Sequence, residues 1–156
     1  MSGSLHCKQR PILAISSGGG HWVQLMRLRP SWDGLPVVYV TVNEQVRAAV
    51  GEAPFFVVSD GNADTKLTLV RMAVQILFLV VRVRPAAIIS TGAAPGVFAL
   101  MFGKLIGAKT AWVDSIANCD RLSLSGRIVR WFADAWLTQW EHLSDPAGPQ
   151  YHGTVL

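Results

Sequence analysis

Two glycine-rich stretches, Ser16-Ser17-Gly18-Gly19-Gly20-His21 and Ser90-Thr91-Gly92-Ala93-Ala94-Pro95-Gly96, hold the residues best suited to chemistry in this sequence of 156 residues. Without side chains, backbone N–H groups can approach an anion closely, and a helix starting at such a turn adds the positive end of its dipole. Phosphate is the natural guest, and two such turns suit a diphosphate. The candidate binding residues are Ser17, Gly18, Gly19 and Gly20 in the first turn and Thr91, Gly92, Ala93, Pro95 and Gly96 in the second. Either turn alone also fits a tight strand-to-helix connection that binds nothing. Their pairing favours binding. Histidine is the side chain best suited to general acid–base work, and His21 stands at the mouth of the first turn, so it is the leading catalytic candidate, a general base for an acceptor hydroxyl. A hydrogen bond to phosphate, or capping of the turn, are the alternatives for the same ring. Asp114 is the second candidate: it orients His21, accepts a ligand hydroxyl or caps the turn after it.

Other chemistries fit less well. No Gly-Lys-Ser/Thr closes the first turn, and Val23 stands where the dinucleotide pattern needs glycine, which disfavours an NTPase and an ordinary dehydrogenase. Glu44 suits either a ribose hydroxyl or the positive end of a helix, and stays unassigned. Cys7 and Cys119 are the only cysteines and lack ligand spacing, so neither zinc nor a disulfide framework is expected, and a reducing, cytosolic setting fits. His6, His142 and His152 show no partner spacing. No metal or cofactor is expected. The net charge of +4 is spread along the chain, which suits anionic headgroups or phosphates better than nucleic acid.

Around these turns the apolar periodicity predicts strands at Pro11–Ser16, Pro36–Val42, Phe55–Ser59, Pro85–Ser90, Lys109–Val113 and Ala135–Thr138. Their apolar character is continuous rather than alternating, as for strands covered on both faces. Helices are expected at His21–Leu28, Glu44–Val50, Lys66–Val83, Val97–Leu105 and Leu124–Phe132, with Gly107 as a left-handed cap and Pro30 and Pro85 beyond two helix ends. The expected fold is α/β: a Rossmann-like, doubly wound parallel sheet of about six strands with both glycine turns at the carboxyl ends of strands.

The chain has the size of one domain, and 51% hydrophobic residues against 15% charged ones leave apolar surface for a partner or a bilayer. Residues 1–10 are polar and read as a flexible segment without a secretory signal. Residues 66–84 form an almost uniformly apolar helix of about 25 Å, short for a span. Thr68, Arg71, Gln75 and Arg82 gather on one side, so the helix is expected to lie in the bilayer interface, with Leu77 and Leu79 in contact; burial between sheet and partner is the alternative. Trp131, Phe132, Trp136 and Trp140 read as core or partner contacts. Residues 144–156, with Asp145-Pro146 and Gly148-Pro149 before Tyr151, Val155 and Leu156, read as a docking tail whose removal from Gln150 on leaves the domain folded.

Gly18-Gly19-Gly20-His21, Thr91-Gly92-Ala93-Ala94-Pro95-Gly96 and Asp114-Ser115-Ile116-Ala117 through Arg121-Leu122-Ser123-Leu124-Ser125-Gly126 occur in an order and at intervals that resemble the asparagine-linked-glycosylation-fourteen family. The likeness runs over roughly residues 11–156 and includes Ala133-Asp134, Gln139-Trp140 and Tyr151-His152-Gly153. It departs at Asp114-Ser115-Ile116, where the family has Glu-Ser-Phe, and at Asn118–Arg121. More distantly, the chain is similar to the acceptor domain of the peptidoglycan lipid II synthase. The resemblance implies the N-terminal, acceptor-side half of a split GT-B glycosyltransferase in polysaccharide or oligosaccharide biosynthesis, transferring a hexosyl, N-acetylglucosaminyl or glucuronosyl group. It implies an acceptor-binding domain over residues 11–143, adds Ser115 to the binding set, and supplies the partners: a lipid-linked sugar acceptor, a donor-binding catalytic subunit that holds the UDP-sugar, and the cytoplasmic face of the membrane. The alternative is a self-sufficient nucleotide- or phosphate-binding domain without transferase activity.

Overall fold

The computed structural model describes residues 9–61 and 65–155. Strands β1 (Ile12–Ile15), β2 (Val37–Thr41), β3 (Phe55–Val57), β4 (Ala87–Ser90), β5 (Lys109–Val113), β6 (Ala135–Thr138) and β7 (Gln150–Tyr151) form one parallel sheet in the order β3-β2-β1-β4-β5-β6-β7. The order reverses between β1 and β4, which pair with Ile15 opposite Ser90. The two glycine turns therefore leave the sheet side by side at the switch point, where such sheets bind ligands.

Helices α1 (Gly20–Arg27), α2 (Lys66–Val83), α3 (Ala93–Leu105) and α4 (Leu124–Ile128) connect the strands. Alternate strand residues serve two cores. Leu13, Ile15, Val40, Ile88 and Trp112 pack with Met72, Ile76 and Val80 of α2 and Leu100 of α3. On the other face, Ala14 and Tyr39 meet Trp22 and Leu25 of α1, Trp32 and Val50. This double burial explains why the strand sequences do not alternate. Within α2, Leu79 is 8% exposed while Leu77 is 42% exposed, so only Leu77 of the expected membrane-facing pair is open. The helix is buried on one side only, and Leu67, Val70, Val74, Phe78 and Val81 make an exposed apolar stripe on the other. No helix among the described residues is long and apolar enough to cross a membrane.

Several elements differ from expectation for local reasons. Helix α3 begins at Ala93 rather than Val97, directly on the glycine turn. Glu44–Val50 is a 3-10 helix capped by Asn43, and Leu124–Phe132 divides into α4 and a 3-10 turn over Val129–Trp131. Pro30 lies in a further 3-10 turn, Arg29–Trp32, which continues from α1. Gly107 has the expected left-handed backbone, φ 77°, and Ala108 N–H closes on the Gly103 carbonyl. The stretch expected as a docking tail supplies a seventh strand: Gln150 and Tyr151 pair with Leu137 and Thr138 of β6. A two-residue strand of Gln and Tyr has no apolar run to announce it.

Candidate functional site

Both helices that follow the glycine turns start without a side-chain cap, whereas Ser123 caps α4 and Asn43 caps the 3-10 helix after β2. The first N–H groups of α1 and α3 have no partner within their own helices, and the helix dipoles favour an anion at these ends. Gly19 makes the first turn possible with φ 62°, in the left-handed region, and no atom would lie within 4 Å of a Cβ at Gly19 or Gly20. Open space thus faces the start of α1. Gly92 has φ 150°, and Ala93 follows with φ 65°, a conformation that costs a residue with a Cβ about 1–2 kcal/mol. Backbone strain of this kind gathers at functional turns.

His21 joins the two turns. Its Nδ1 lies 3.0 Å from the Thr91 carbonyl oxygen, and the Thr91 hydroxyl donates to the His21 carbonyl at 2.6 Å. Because a carbonyl only accepts, Nδ1 carries the proton in this bond, and Nε2 of the neutral ring is left as the basic nitrogen. The imidazole rests against Gly92, where a Cβ would come within 2.2 Å of Nδ1. Gly96 has a packing reason instead: a Cβ there would meet Ser90 Oγ at 2.0 Å.

A cleft of about 930 Å³ opens beside the turns. Ser17, Gly18, Ala93 and Pro95 line it, together with Asn43 and Asp60, while Leu69 of α2, Val97 and Phe98 of α3 and Leu124 and Ile128 of α4 make its apolar wall. Its lining is thus polar beside the turns and apolar between the helices. Of the other expected residues, Gly19, Gly20, His21, Thr91, Gly92 and Gly96 shape the turns beside the cleft without lining it.

Asp114 and Ser115 stand elsewhere, in a polar cluster beneath the loop after β5. The Asp114 carboxylate accepts from Trp112 Nε1 at 3.2 Å, Ser123 N–H at 3.0 Å, Ser123 Oγ at 2.6 Å and Asn118 Nδ2 at 3.4 Å. Four donors occupy its two oxygens, so its geometry is that of a residue holding the turn after it. Ser115 Oγ accepts from Gln24 Nε2 at 3.1 Å, and Gln24 Oε1 accepts from Ile116 N–H at 3.1 Å and from Gln139 Nε2 at 2.6 Å. Gln139 Oε1 then accepts from Val155 N–H at 2.8 Å. A buried chain of amides therefore ties α1, the loop after β5 and the C-terminal stretch together. Sequence reasoning missed Gln24, because a glutamine in an amphipathic pattern reads as a surface residue, and it singled out Gln139 only within the family resemblance, with no buried role. It also missed Asn43 and Asp60; their one signal was position, just past the ends of β2 and β3.

Away from this edge, Lys104 pairs with Asp134, whose carboxylate also accepts from Thr110 N–H at 2.9 Å. The Lys104 hydrogen bond, opposed by partial burial and aided by Thr110, holds the Asp134 carboxyl below its usual range. No group of His, Cys, Asp and Glu suited to a metal occurs among the described residues. Cys119 is exposed; Cys7 and His6 lie outside the described residues.

The family model for oligosaccharide biosynthesis protein Alg14 like matches residues 57–155, from β3 through the loop after β5 to the C-terminal stretch. The chain belongs to this family. Over 85 residues, the Alg14-like chain is 36% identical to the UDP-N-acetylglucosamine transferase subunit ALG14 of Yarrowia lipolytica, a match over 50% of this chain and 39% of that protein. Among solved structures, MurG of Acinetobacter baumannii superposes with a TM-score of 0.73 at 9% identity, over 91% of this chain and 45% of MurG. UDP-N-acetylglucosamine 2-epimerase of Rickettsia bellii gives a TM-score of 0.68 at 10% identity, over 94% of this chain and 45% of the enzyme. The Alg14-like chain spans less than half the length of these proteins. At such identities the likeness is one of fold, and it bears out the Rossmann-like parallel sheet.

Proposed function

We propose that this Alg14-like chain is the membrane-associated, acceptor-binding subunit of a two-component glycosyltransferase in polysaccharide or oligosaccharide biosynthesis. The observation that carries this reading is the two-sided cleft, bordered at one end by uncapped helix starts suited to a diphosphate and walled at the other by Leu69, Val97, Phe98, Leu124 and Ile128. A polyprenyl-diphosphate-linked sugar has that same division. The acceptor-binding site lies within residues 11–143. Ser17, Gly18, Gly19 and Gly20 hold one phosphate and Thr91, Gly92, Ala93, Pro95 and Gly96 shape the site for the other, while Ser115 and Asp114 fix the loop beside them. His21 Nε2 takes the proton of the acceptor hydroxyl as that oxygen bonds to the anomeric carbon of the donor sugar, while the bond from that carbon to the diphosphate oxygen breaks and UDP leaves on the donor-binding subunit.

The donor is held by a separate catalytic subunit. Support for this comes from the relative in Yarrowia lipolytica, named as a transferase subunit. The chain works at the cytoplasmic face of the membrane, where the exposed stripe of α2 enters the interface and Arg71 and Arg82 reach headgroups. The 144–156 stretch docks the partner along β7, at the edge of the sheet. The test is reconstitution of transfer from a UDP-sugar to a lipid-linked acceptor: activity is expected from the pair and not from this chain alone. Full activity of the lone chain, or binding of the nucleotide sugar by it without effect of the lipid, would replace this reading with the self-sufficient domain.

A further inference from the structure

Leu124, Ile128 and Trp131 follow one another at intervals of four and three, so α4 and the 3-10 turn after it carry them on one side. All three are open to solvent, and Trp131 is 70% exposed. Arg121, Arg127 and Arg130 are exposed around them, with the Arg130 guanidinium 4.3 Å from the centre of the Trp131 ring. Between Arg121 and Trp131 the chain has no acidic residue. Leu124 and Ile128 also line the cleft, in the same apolar wall as Leu69 of α2, the helix with the exposed apolar stripe. Apolar surface therefore continues from α4 through the cleft.

We propose that the patch of Leu124, Ile128 and Trp131 is a second contact with a bilayer of anionic phospholipid, and that together with the α2 stripe it turns the cleft mouth towards the membrane. The proposal rests on the reading of α2 as a membrane-seeking helix. A tryptophan suits the headgroup level, because its ring is apolar and its N–H polar, and arginines of one sign match anionic headgroups. The continuity with the cleft favours a bilayer over a protein partner. A carrier lipid reaching the phosphate turns needs an unbroken apolar path from the membrane, and two contacts, one on α2 and one on α4, each continuous with the apolar wall of the cleft, supply it. One contact alone leaves the domain free to roll about α2.

The test uses the full chain with Cys7→Ser and Cys119→Ser, carrying an environment-sensitive fluorophore on a single cysteine. The labelled variants are Trp131→Cys, Phe78→Cys on the α2 stripe, and Glu52→Cys near the core of the opposite sheet face. On phosphatidylcholine vesicles containing phosphatidylglycerol, the labels at 131 and 78 should shift to the blue and the label at 52 should not. Arg127→Gln with Arg130→Gln should weaken binding to these vesicles about 25-fold, roughly fivefold for each arginine, with thermal unfolding unchanged. A shift at 78 with none at 131 overturns the second contact and leaves the α2 reading standing. No shift at either position overturns both. A shift at 131 that appears on adding the donor-binding subunit, and not on adding vesicles, makes the patch a protein interface and overturns the proposal.

Discussion

Gly92→Ala should damage the site in a measurable, divisible way. Gly92 has φ 150°, and a Cβ there would lie 2.2 Å from His21 Nδ1 and 2.4 Å from Cε1. Two costs follow. Forcing alanine into this backbone region costs about 1–2 kcal/mol whatever surrounds it. Swinging the imidazole away breaks its 3.0 Å bond to the Thr91 carbonyl, a further loss of about 1 kcal/mol. A total of about 2–3 kcal/mol corresponds to a fall in Tm of roughly 5–10 °C for a domain of this size. The two costs separate in a double-mutant cycle. In a His21→Ala background the ring is gone, so Gly92→Ala should cost the backbone part only, leaving a coupling of about 1 kcal/mol. Urea unfolding of the four proteins measures it. Costs that simply add, or a Tm change below about 2 °C, would refute the argument that this glycine exists to admit the imidazole. Gly20→Ala is the contrast: nothing would lie within 4 Å of its Cβ, so stability should hold while affinity for a lipid-linked diphosphate falls.

Further outcomes are expected at three other places. His21→Gln should lower transfer by the reconstituted pair about a hundredfold or more, whereas unchanged rates would reduce His21 to a structural role. Val74→Glu with Phe78→Glu should release the chain from anionic vesicles at unchanged Tm, because both side chains are exposed; Leu79→Glu should unfold it, because Leu79 is buried. The Asp134 carboxyl is held below its ordinary range by Lys104, so its contribution to stability is present above the unfolded pKa and disappears as pH falls through the folded one. Because the pair is partly exposed and screened, Asp134→Asn should cost at most about 1 kcal/mol at pH 7, and urea midpoints should converge with those of the parent as the solution is acidified.

The two glycine turns were legible because both backbone freedom and helix starts leave a mark in residue type, and the parallel sheet brings β1 and β4 together at its switch point. Continuous apolar strands likewise announced a sheet covered on both faces. What stayed hidden depends on packing over long sequence distances. Gln24 and Gln139 meet across the fold at 2.6 Å, and nothing in either local pattern marks a buried amide. Leu77 and Leu79 look alike in a helix that is apolar nearly all round, and only the position of α3 and the sheet decides which of them is covered. The C-terminal stretch looked unattached for a similar reason: the backbone pairing of Gln150 and Tyr151 with β6, and Val155 with Gln139, involves no apolar run. Removing residues 150–156 therefore strips an edge strand and leaves a buried amide oxygen without its donor, so point substitutions on the exposed side of β7 are the cleaner probe of docking.

The most direct test of the central reading is the affinity of the purified chain for a detergent-solubilised polyprenyl-diphosphate-linked sugar, measured by calorimetry beside the matching UDP-sugar. The cleft predicts binding of the lipid-linked compound, weakened by Gly20→Ala at the phosphate end and by Leu69→Asp at the apolar end, with little binding of the UDP-sugar by this chain alone. Tight binding of the UDP-sugar, with no measurable affinity for the lipid-linked diphosphate, would contradict it.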